Sequence, residues 1–379
     1  MHILEIPSFF PPHGGLFCLE QAKALAGLGH EVRIVSCTQL GTSIDGNFFF
    51  SAPVGREWIE MDGVECYRTF LHGIPKTVKP NFLRWVHTVK SMYKEYKKKY
   101  GKPDILHAHC AKWAGTAAME IAERENIPYF ITEHFSYGMY EADFGKGWTK
   151  NVWAKEKMKE AYHNAKCVIP VAKELIDSVE TFFGKDFRYR EISNITDTDF
   201  FITKKREPLT ARPFRFCCIG FPNIFVKGYD VLAEAMKGIQ DIELHIAGVS
   251  KDNKNIPPLF ADYSNVYFHG KLNKAGVRDL LYHCDALVLA SRSEVQPLVL
   301  LEAMSTGIPV ISTEVVPQSE RIENACTIVP TGDSAALHEG MKQLILRGHD
   351  YDGESFHKAV ENLSSPMIVA KKLEELFSS

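Results

Sequence analysis

Two doubly wound, Rossmann-like α/β domains are what this 379-residue chain predicts. Three observations carry that expectation. Short apolar runs alternate with runs of helical period through the first half. A polar stretch holding two prolines, TKKREPLTARPF, then interrupts the pattern and reads as a linker. The alternation restarts after it. Strands alternating with helices argue for a parallel sheet covered on both faces, and the length suits two domains.

The elements follow in order. HILEI is the first apolar strand, and the loop SFFPPHGG leaves it. LFCLEQAKALAGLG has helical period and stops at Gly29, and EVRIVS is the next strand. DILHAHC, a helix through GTAAMEIAEREN, and PYFITEH repeat the unit. KCVIPVA is a further strand, followed by the helix KELIDSVETFFG. Beyond the linker come FRFCCIG, the helix YDVLAEAMKGI, the strands ELHIAG and NVYFHG, the helix AGVRDLLYHC and the strand ALVLAS.

Bulk properties exclude several classes. A hydrophobic fraction of 45% supports sizeable cores, and a net charge of −3 gives no global drive toward nucleic acid. The nine cysteines are odd in number and form no C-x-x-C pair, which favours reduced thiols in a cytoplasmic protein. MHILEIPSFF lacks the basic and apolar blocks of a signal peptide. No apolar run approaches the roughly 20 residues of a membrane span.

The most informative stretch is 291–310, SRSEVQPLVLLEAMSTGIPV. Glu294 follows a strand, and Glu302 lies inside the helical run LVLLEAM, seven residues on. Two such carboxylates are usually solvated surface charges. Here they sit in an apolar strand–loop–helix–strand unit punctuated by Gly and Pro. In an open parallel sheet, ligands bind beyond the carboxyl ends of the strands. A helix starting at Pro297 offers free N–H groups there, which suits a phosphate. An anion cradle beside two hydroxyl-binding carboxylates fits a nucleotide sugar.

This segment resembles the E-x7-E signature of retaining family-4 glycosyltransferases, PS-x-x-E-G-F-G-L-V-L-L-E-A-M-A-x-G-x-P-V. The chain keeps Glu294, Leu298, Glu302, Ala303, Met304, Gly307, Pro309 and Val310. It departs at Val295, Gln296 and Pro297. Pro297 has no N–H, so a phosphate would rely on Leu298 and Val299. The resemblance runs along nearly the whole chain and is weakest over residues 40–85. It implies the GT-B architecture, with the domains facing across a cleft. The expected boundaries are 1–201 for the N-terminal, acceptor-side domain and 202–363 for the nucleotide-sugar domain. The last helix, within 364–379, would return to the first domain.

In the N-terminal half, GGLFCLEQAKALAGLGHEV is similar to the family's opening Gly-Gly loop. The resemblance places Gly15 near the donor diphosphate or the acceptor, although a simple turn also explains a Gly pair. His107 and His109 share one side of their strand. No third metal ligand is evident from spacing, which leaves a structural or acceptor-side role. His134 matches the family's T-x-H element, whose His reaches the donor sugar or phosphate. An imidazole N–H can donate to a phosphoryl oxygen. The segment FLRWVHTVKSMYKEYKKKYGK interleaves Lys with Trp85, Tyr93, Tyr96 and Tyr100. A solvated helix face is the default reading, and peripheral contact with an anionic membrane is the functional one.

In the C-terminal half, CCIGFPNIFVKGYDVL resembles F-V-G-R-L-x-x-x-K-G-x-D-x-L-L. Lys227 matches the lysine that meets the diphosphate as a point charge. The family's Arg after Gly220 is replaced by Phe221, with Arg292 as a candidate substitute cation. Gly270-Lys271-Leu272 follows a strand and resembles the family's loop that meets the base through backbone atoms, which implies that role for Gly270 and Leu272. Asp197-Thr198-Asp199 invites a metal reading, but EISNITDTDFF resembles an interdomain turn, where the acids serve backbone groups.

The resemblance therefore implies a retaining glycosyltransferase using a nucleotide-sugar, most commonly a UDP-sugar, and a glycan or lipid-linked hydroxyl acceptor in bacterial polysaccharide or glycolipid synthesis. Glu294, His134 and Lys227 are its expected catalytic residues, with no metal or other cofactor. Two alternatives stay open at this point. One is an epimerase or hydrolase of the same fold; the other is a non-catalytic nucleotide-sugar or glycan-binding protein.

Overall fold

The structure is a computed structural model that describes residues 1–12, 14–41, 46–135, 152–205, 209 and 212–379. Part of the polar linker, 206–208 and 210–211, lies outside the described residues. Two compact units emerge: Met1–Ile195 with Pro366–Ser379, and Thr196–Ser365. The break thus falls six residues before the expected 201/202 boundary. Phe201 explains the difference, because it is fully buried in the second unit's core and its carbonyl accepts from Ser305 Oγ at 2.5 Å.

The first unit holds a seven-stranded sheet in the order β3-β4-β2-β1-β5-β6-β7. The strands are β1 (His2–Pro7), β2 (Glu31–Leu40), β3 (Arg56–Met61), β4 (Val64–His72), β5 (Ile105–His109), β6 (Tyr129–Glu133) and β7 (Cys167–Pro170). All neighbours pair in parallel except β3 with β4. Every residue of β5, β6 and β7 is buried, as helices on both faces of a parallel sheet require. The antiparallel β3–β4 hairpin escaped the sequence reading. Its signal is Asp62-Gly63, a two-residue turn in which both residues take positive φ, 48° and 83°.

The basic helix Lys79–Tyr100 turns its aromatics inward. Trp85, Tyr93 and Tyr96 are buried in the first unit's core, and Tyr100 packs against it. The aromatic half of the expected lipid surface therefore lies inside the protein, because burial of large rings outweighs their interfacial preference. Lys90 and Lys97 pair with Glu120 and Glu125 at 2.5 Å each. Among the described residues, no helix is long and apolar enough to cross a membrane.

The second unit holds a six-stranded parallel sheet, β10-β9-β8-β11-β12-β13. Its strands are β8 (Phe214–Ile219), β9 (Ile242–Ala247), β10 (Val266–Gly270), β11 (Ala286–Leu289), β12 (Val310–Thr313) and β13 (Cys326–Val329). The order reverses at β8, with β9 and β11 on its two sides. Such a switch point opens a crevice at the carboxyl ends of the strands.

The last helix, Pro366–Ser378, belongs to the first unit. Val369, Ala370, Leu373 and Phe377 share a core cluster with Leu19, Ala22 and Phe130. His30 and Arg190 meet Glu374 and Glu375 on its outer side, both at 3.0 Å. Leu373→Ala should destabilise the first unit by about 2–5 kcal/mol, the cost of a buried Leu cavity. Urea unfolding followed by intrinsic fluorescence tests this, and a loss under about 1 kcal/mol would contradict the docking.

Candidate functional site

In the second unit, the loop after β11 carries Ser291, Arg292 and Glu294. The short helix Ile224–Lys227 lies against this loop. Arg292 N–H donates to the Val226 carbonyl at 2.8 Å. Gly228 makes the approach possible: its φ is +64°, and a Cβ there would sit 1.9 Å from the Ala290 carbonyl oxygen. Lys227 Nζ consequently reaches Glu294 Oε1 at 2.7 Å. Ser291 Oγ donates to the same oxygen at 2.6 Å. Both charged side chains are mostly buried, 11% exposed for Lys227 and 9% for Glu294. A buried pair of this kind is costly to break from one side. Phe221 stands beside it, its ring 5.1 Å from Lys227 Nζ.

Glu302 sits in the second turn of the helix Leu298–Ser305. Pro297 precedes that helix as its cap residue, so the first helical N–H groups belong to Leu298 and Val299. These fall in the turn that has no intrahelical acceptor. Burial pushes the Glu302 carboxyl up to about 7; Lys274 opposes the rise and Asp197 adds to it. Lys274 itself pairs with Asp197 at 2.7 Å. Asp197 also accepts from the Phe200 N–H at 3.2 Å, the turn role its sequence suggests.

Arg292 is not brought to the Lys227–Glu294 pair. Its guanidinium makes two 2.8 Å hydrogen bonds to Asp230 and one of 3.1 Å to the Phe225 carbonyl. A bidentate carboxylate partner commits the cation, so Arg292 does not replace the missing arginine. Gly270 ends β10 and spends its backbone on the adjoining loop: its N–H donates to Val249, and its carbonyl accepts from Gly248. Leu272 packs against the second unit's core.

In the first unit, Gly15 has φ +77°, and a Cβ there would lie 2.1 Å from the Phe9 carbonyl oxygen. The close approach that demands glycine is therefore to the chain itself. His107 and His109 are sealed inside the unit, not presented to an acceptor. Buried imidazoles need polar partners, and the register supplies Glu5, which lies beside His107 across β1 and β5. Glu5 Oε2 is 2.9 Å from His107 Nδ1 and 2.8 Å from His109 Nε2. His107 Nε2 meets Thr132 Oγ1 at 2.7 Å, and His109 Nδ1 meets His134 Nε2 at 3.4 Å. Phe17 stacks on His134 with ring centroids 3.7 Å apart. Glu133 pins the chain here, accepting from the His134, Phe135 and Ala111 N–H groups at 2.8–3.0 Å.

Glu5, Glu133, Ser291 and Phe17 escaped the sequence reading. For Glu5 the signal was a carboxylate inside the apolar run HILEIP, which needs a partner to be buried.

Among the described residues, two groups have the donor types of a metal site, Glu5–His107–His109 and Glu243–His245–His283. The first is satisfied by its own hydrogen bonds. In the second, the Glu243 carboxylate is paired with Arg215 at 2.8 Å.

Against this geometry, the family comparisons are consistent. Residues 14–200 match Glycosyltransferase Family 4, and residues 213–347 match Glycosyl transferases group 1. The chain belongs to this glycosyltransferase family, and its fold is GT-B. Among individual proteins, it is 26% identical over 346 residues to TuaC of Bacillus subtilis, assigned as a teichuronic acid biosynthesis glycosyltransferase. That match covers 83% of this chain and 81% of TuaC. Sucrose-phosphate synthase of Thermosynechococcus elongatus superposes with a TM-score of 0.78 at 20% identity, covering 100% of this chain and 98% of that one. Anabaena HepE, solved in complex with UDP and glucose, gives 0.71 at 15% identity, with 100% of both chains covered.

The raised Glu302 carboxyl has a consequence for stability. Between its ordinary 4.5 and about 7, the folded chain keeps a proton that the unfolded chain has released. This group's contribution to stability therefore falls as pH rises through that window. Glu302→Gln should flatten that part of the profile. Thermal melts of both proteins from pH 4.5 to 8 test this; superimposable profiles would rule it out.

Proposed function

We propose that the protein is a retaining glycosyltransferase that moves a sugar from a nucleotide-sugar, a UDP-sugar foremost, onto a hydroxyl acceptor in polysaccharide or glycolipid synthesis. The observation that carries this is the half-buried Glu302 carboxyl, which no side chain bonds among the described residues. It stands on the same strand–helix unit as Glu294, the partner of Lys227. An acid without a side-chain partner in a half-buried position suits a ligand rich in hydroxyl donors. The family membership, the likeness to TuaC and the UDP complex of HepE support the same reading.

In this reading Glu302 takes the ribose hydroxyls and Glu294 those of the transferred sugar. Lys227 and the Leu298 and Val299 N–H groups stabilise the diphosphate as charge develops on it. His134 contributes an imidazole to the donor. The bond from the sugar's anomeric carbon to the diphosphate breaks, and its electron pair leaves with the phosphate oxygen. The acceptor oxygen bonds to that carbon on the same face, and its proton passes to the leaving diphosphate. The reading requires no metal and no covalent enzyme intermediate. The acceptor is a glycan or a lipid-linked glycan. Nucleic acid has no part in it.

The test is a thermal-stability screen against UDP, GDP, ADP and CMP and their sugars. A ligand at about 100 times its Kd should stabilise by roughly 2.7 kcal/mol. The shift should appear with one nucleotide, vanish in Glu302→Ala and grow as pH rises through about 7, because hydroxyl donors favour the carboxylate. No shift with any of them would sink the donor reading.

The same reading places the protein in the cytoplasm, with the lysines of the helix Lys79–Tyr100 touching anionic membrane. Cosedimentation with phosphatidylglycerol vesicles should be salt-sensitive and weaken when Lys94 and Lys98 become Glu; equal binding to neutral vesicles would reject the contact.

A further inference from the structure

An ionised carboxylate accepts hydrogen bonds and donates none, so Glu5 sets the direction of every bond that reaches it. Burial alone would raise its carboxyl, but His107 and His109 hold it down to about 2. At neutral pH it is ionised. His109 Nε2, 2.8 Å from Glu5 Oε2, must therefore carry a proton. Burial draws the His109 imidazole down to about 4, with His107 adding to the fall. His109 is thus neutral, and its Nδ1 holds a lone pair. That lone pair lies 3.4 Å from His134 Nε2. Two lone pairs do not attract, so the contact is a hydrogen bond only if His134 Nε2 carries the proton. Burial, chiefly, keeps His134 well below its ordinary value, so this ring is neutral as well. Its one proton is used on Nε2, and Nδ1 is bare. Among the described residues, His109 is the hydrogen-bond partner of the His134 ring. Phe17, stacked at 3.7 Å, holds the ring plane.

We propose that Glu5, acting through His109, is a positioning residue that locks His134 as its Nε2–H tautomer, leaving Nδ1 to accept a hydrogen bond from a hydroxyl of the donor sugar. This inference rests on the donor-binding reading of His134 and sharpens it. A phosphoryl oxygen has only lone pairs to offer and would be repelled by Nδ1. A sugar hydroxyl supplies the missing proton. The imidazole therefore selects the sugar end of the nucleotide sugar, not its diphosphate, reversing the donor role that the T-x-H resemblance suggests for this side chain.

The measurement is a long-range 1H–15N correlation on protein labelled with 15N-histidine at neutral pH, with His134 assigned from the His134→Gln spectrum. The expected pattern is a protonated Nε2 and a bare Nδ1. A protonated Nδ1, or a doubly protonated ring, overturns the proposal, and this outcome needs no variant to fold. In His109→Phe the Nε2 proton loses its acceptor, and the His134 signals should move toward the averaged positions of exchanging tautomers. Unchanged signals there remove His109 from the relay and overturn it too. UDP and UDP-glucose are then added separately. UDP-glucose should shift the Nδ1 signal as it accepts a hydrogen bond, and UDP alone should leave it in place. A shift with UDP alone assigns His134 to phosphate and overturns the hydroxyl role. Calorimetry on the same samples separates the two ideas. If neither these ligands nor any nucleotide of the stability screen binds, the donor reading fails and the hydroxyl role falls with it, whereas binding with a protonated Nδ1 sinks the tautomer lock alone.

Discussion

Parallel strands covered on both faces exclude water, so each charge placed among them must be met by another protein group. That constraint organises both units. In the first, Glu5 enters the sheet with two imidazoles as its neighbours, and the three make one hydrogen-bonded network. In the second, Lys227, Ser291 and Glu294 converge just beyond β11. Glu133 and Asp285 follow the same rule. Glu133 is fully buried against backbone N–H groups, and Asp285 is held by two Arg212 hydrogen bonds of 2.7 Å. Removing one member of such a set would strand the other in a dry interior.

Glu302 departs from that rule. Its carboxyl is carried up toward neutrality by burial. A folded chain keeps such a group only where the site has a use for it, because the ionised form is costly. The contrast with Arg292 is instructive. Both residues belong to the same segment, yet Arg292 is fully engaged by Asp230 and the Phe225 carbonyl. Position near a site does not make a side chain available to a ligand; the hydrogen-bond inventory does. Lys227 lies between these cases. It is paired with Glu294, so an anion bound there would have to compete for a cation already held in place.

Much of the architecture was legible in the sequence. Runs such as KCVIPVA and ALVLAS are short, apolar and bounded by turn residues, and burial on both faces leaves no other reading for them. Glu294 and Glu302 were legible for the opposite reason: they are acids inside apolar runs. The β3–β4 hairpin was missed although Asp62-Gly63 marks it, because β3 alternates weakly and three of its six residues, Arg56, Glu57 and Glu60, are exposed or half-exposed charges. Glu5 was missed because its partners lie about a hundred residues away along the chain.

Sequence by itself determined what depends on neighbours in the chain: the alternation of strands and helices, a helix start within one residue of Pro297, and the spacing of the two acids. The tertiary structure decided what depends on distant partners. It turned Trp85, Tyr93 and Tyr96 inward, gave Arg292 to Asp230, and made Glu5 the hub of His107 and His109. Local period and propensity act over a few residues and leave a pattern in the sequence. A hydrogen bond across the sheet depends on register between segments far apart, and that register exists only once the strands have paired.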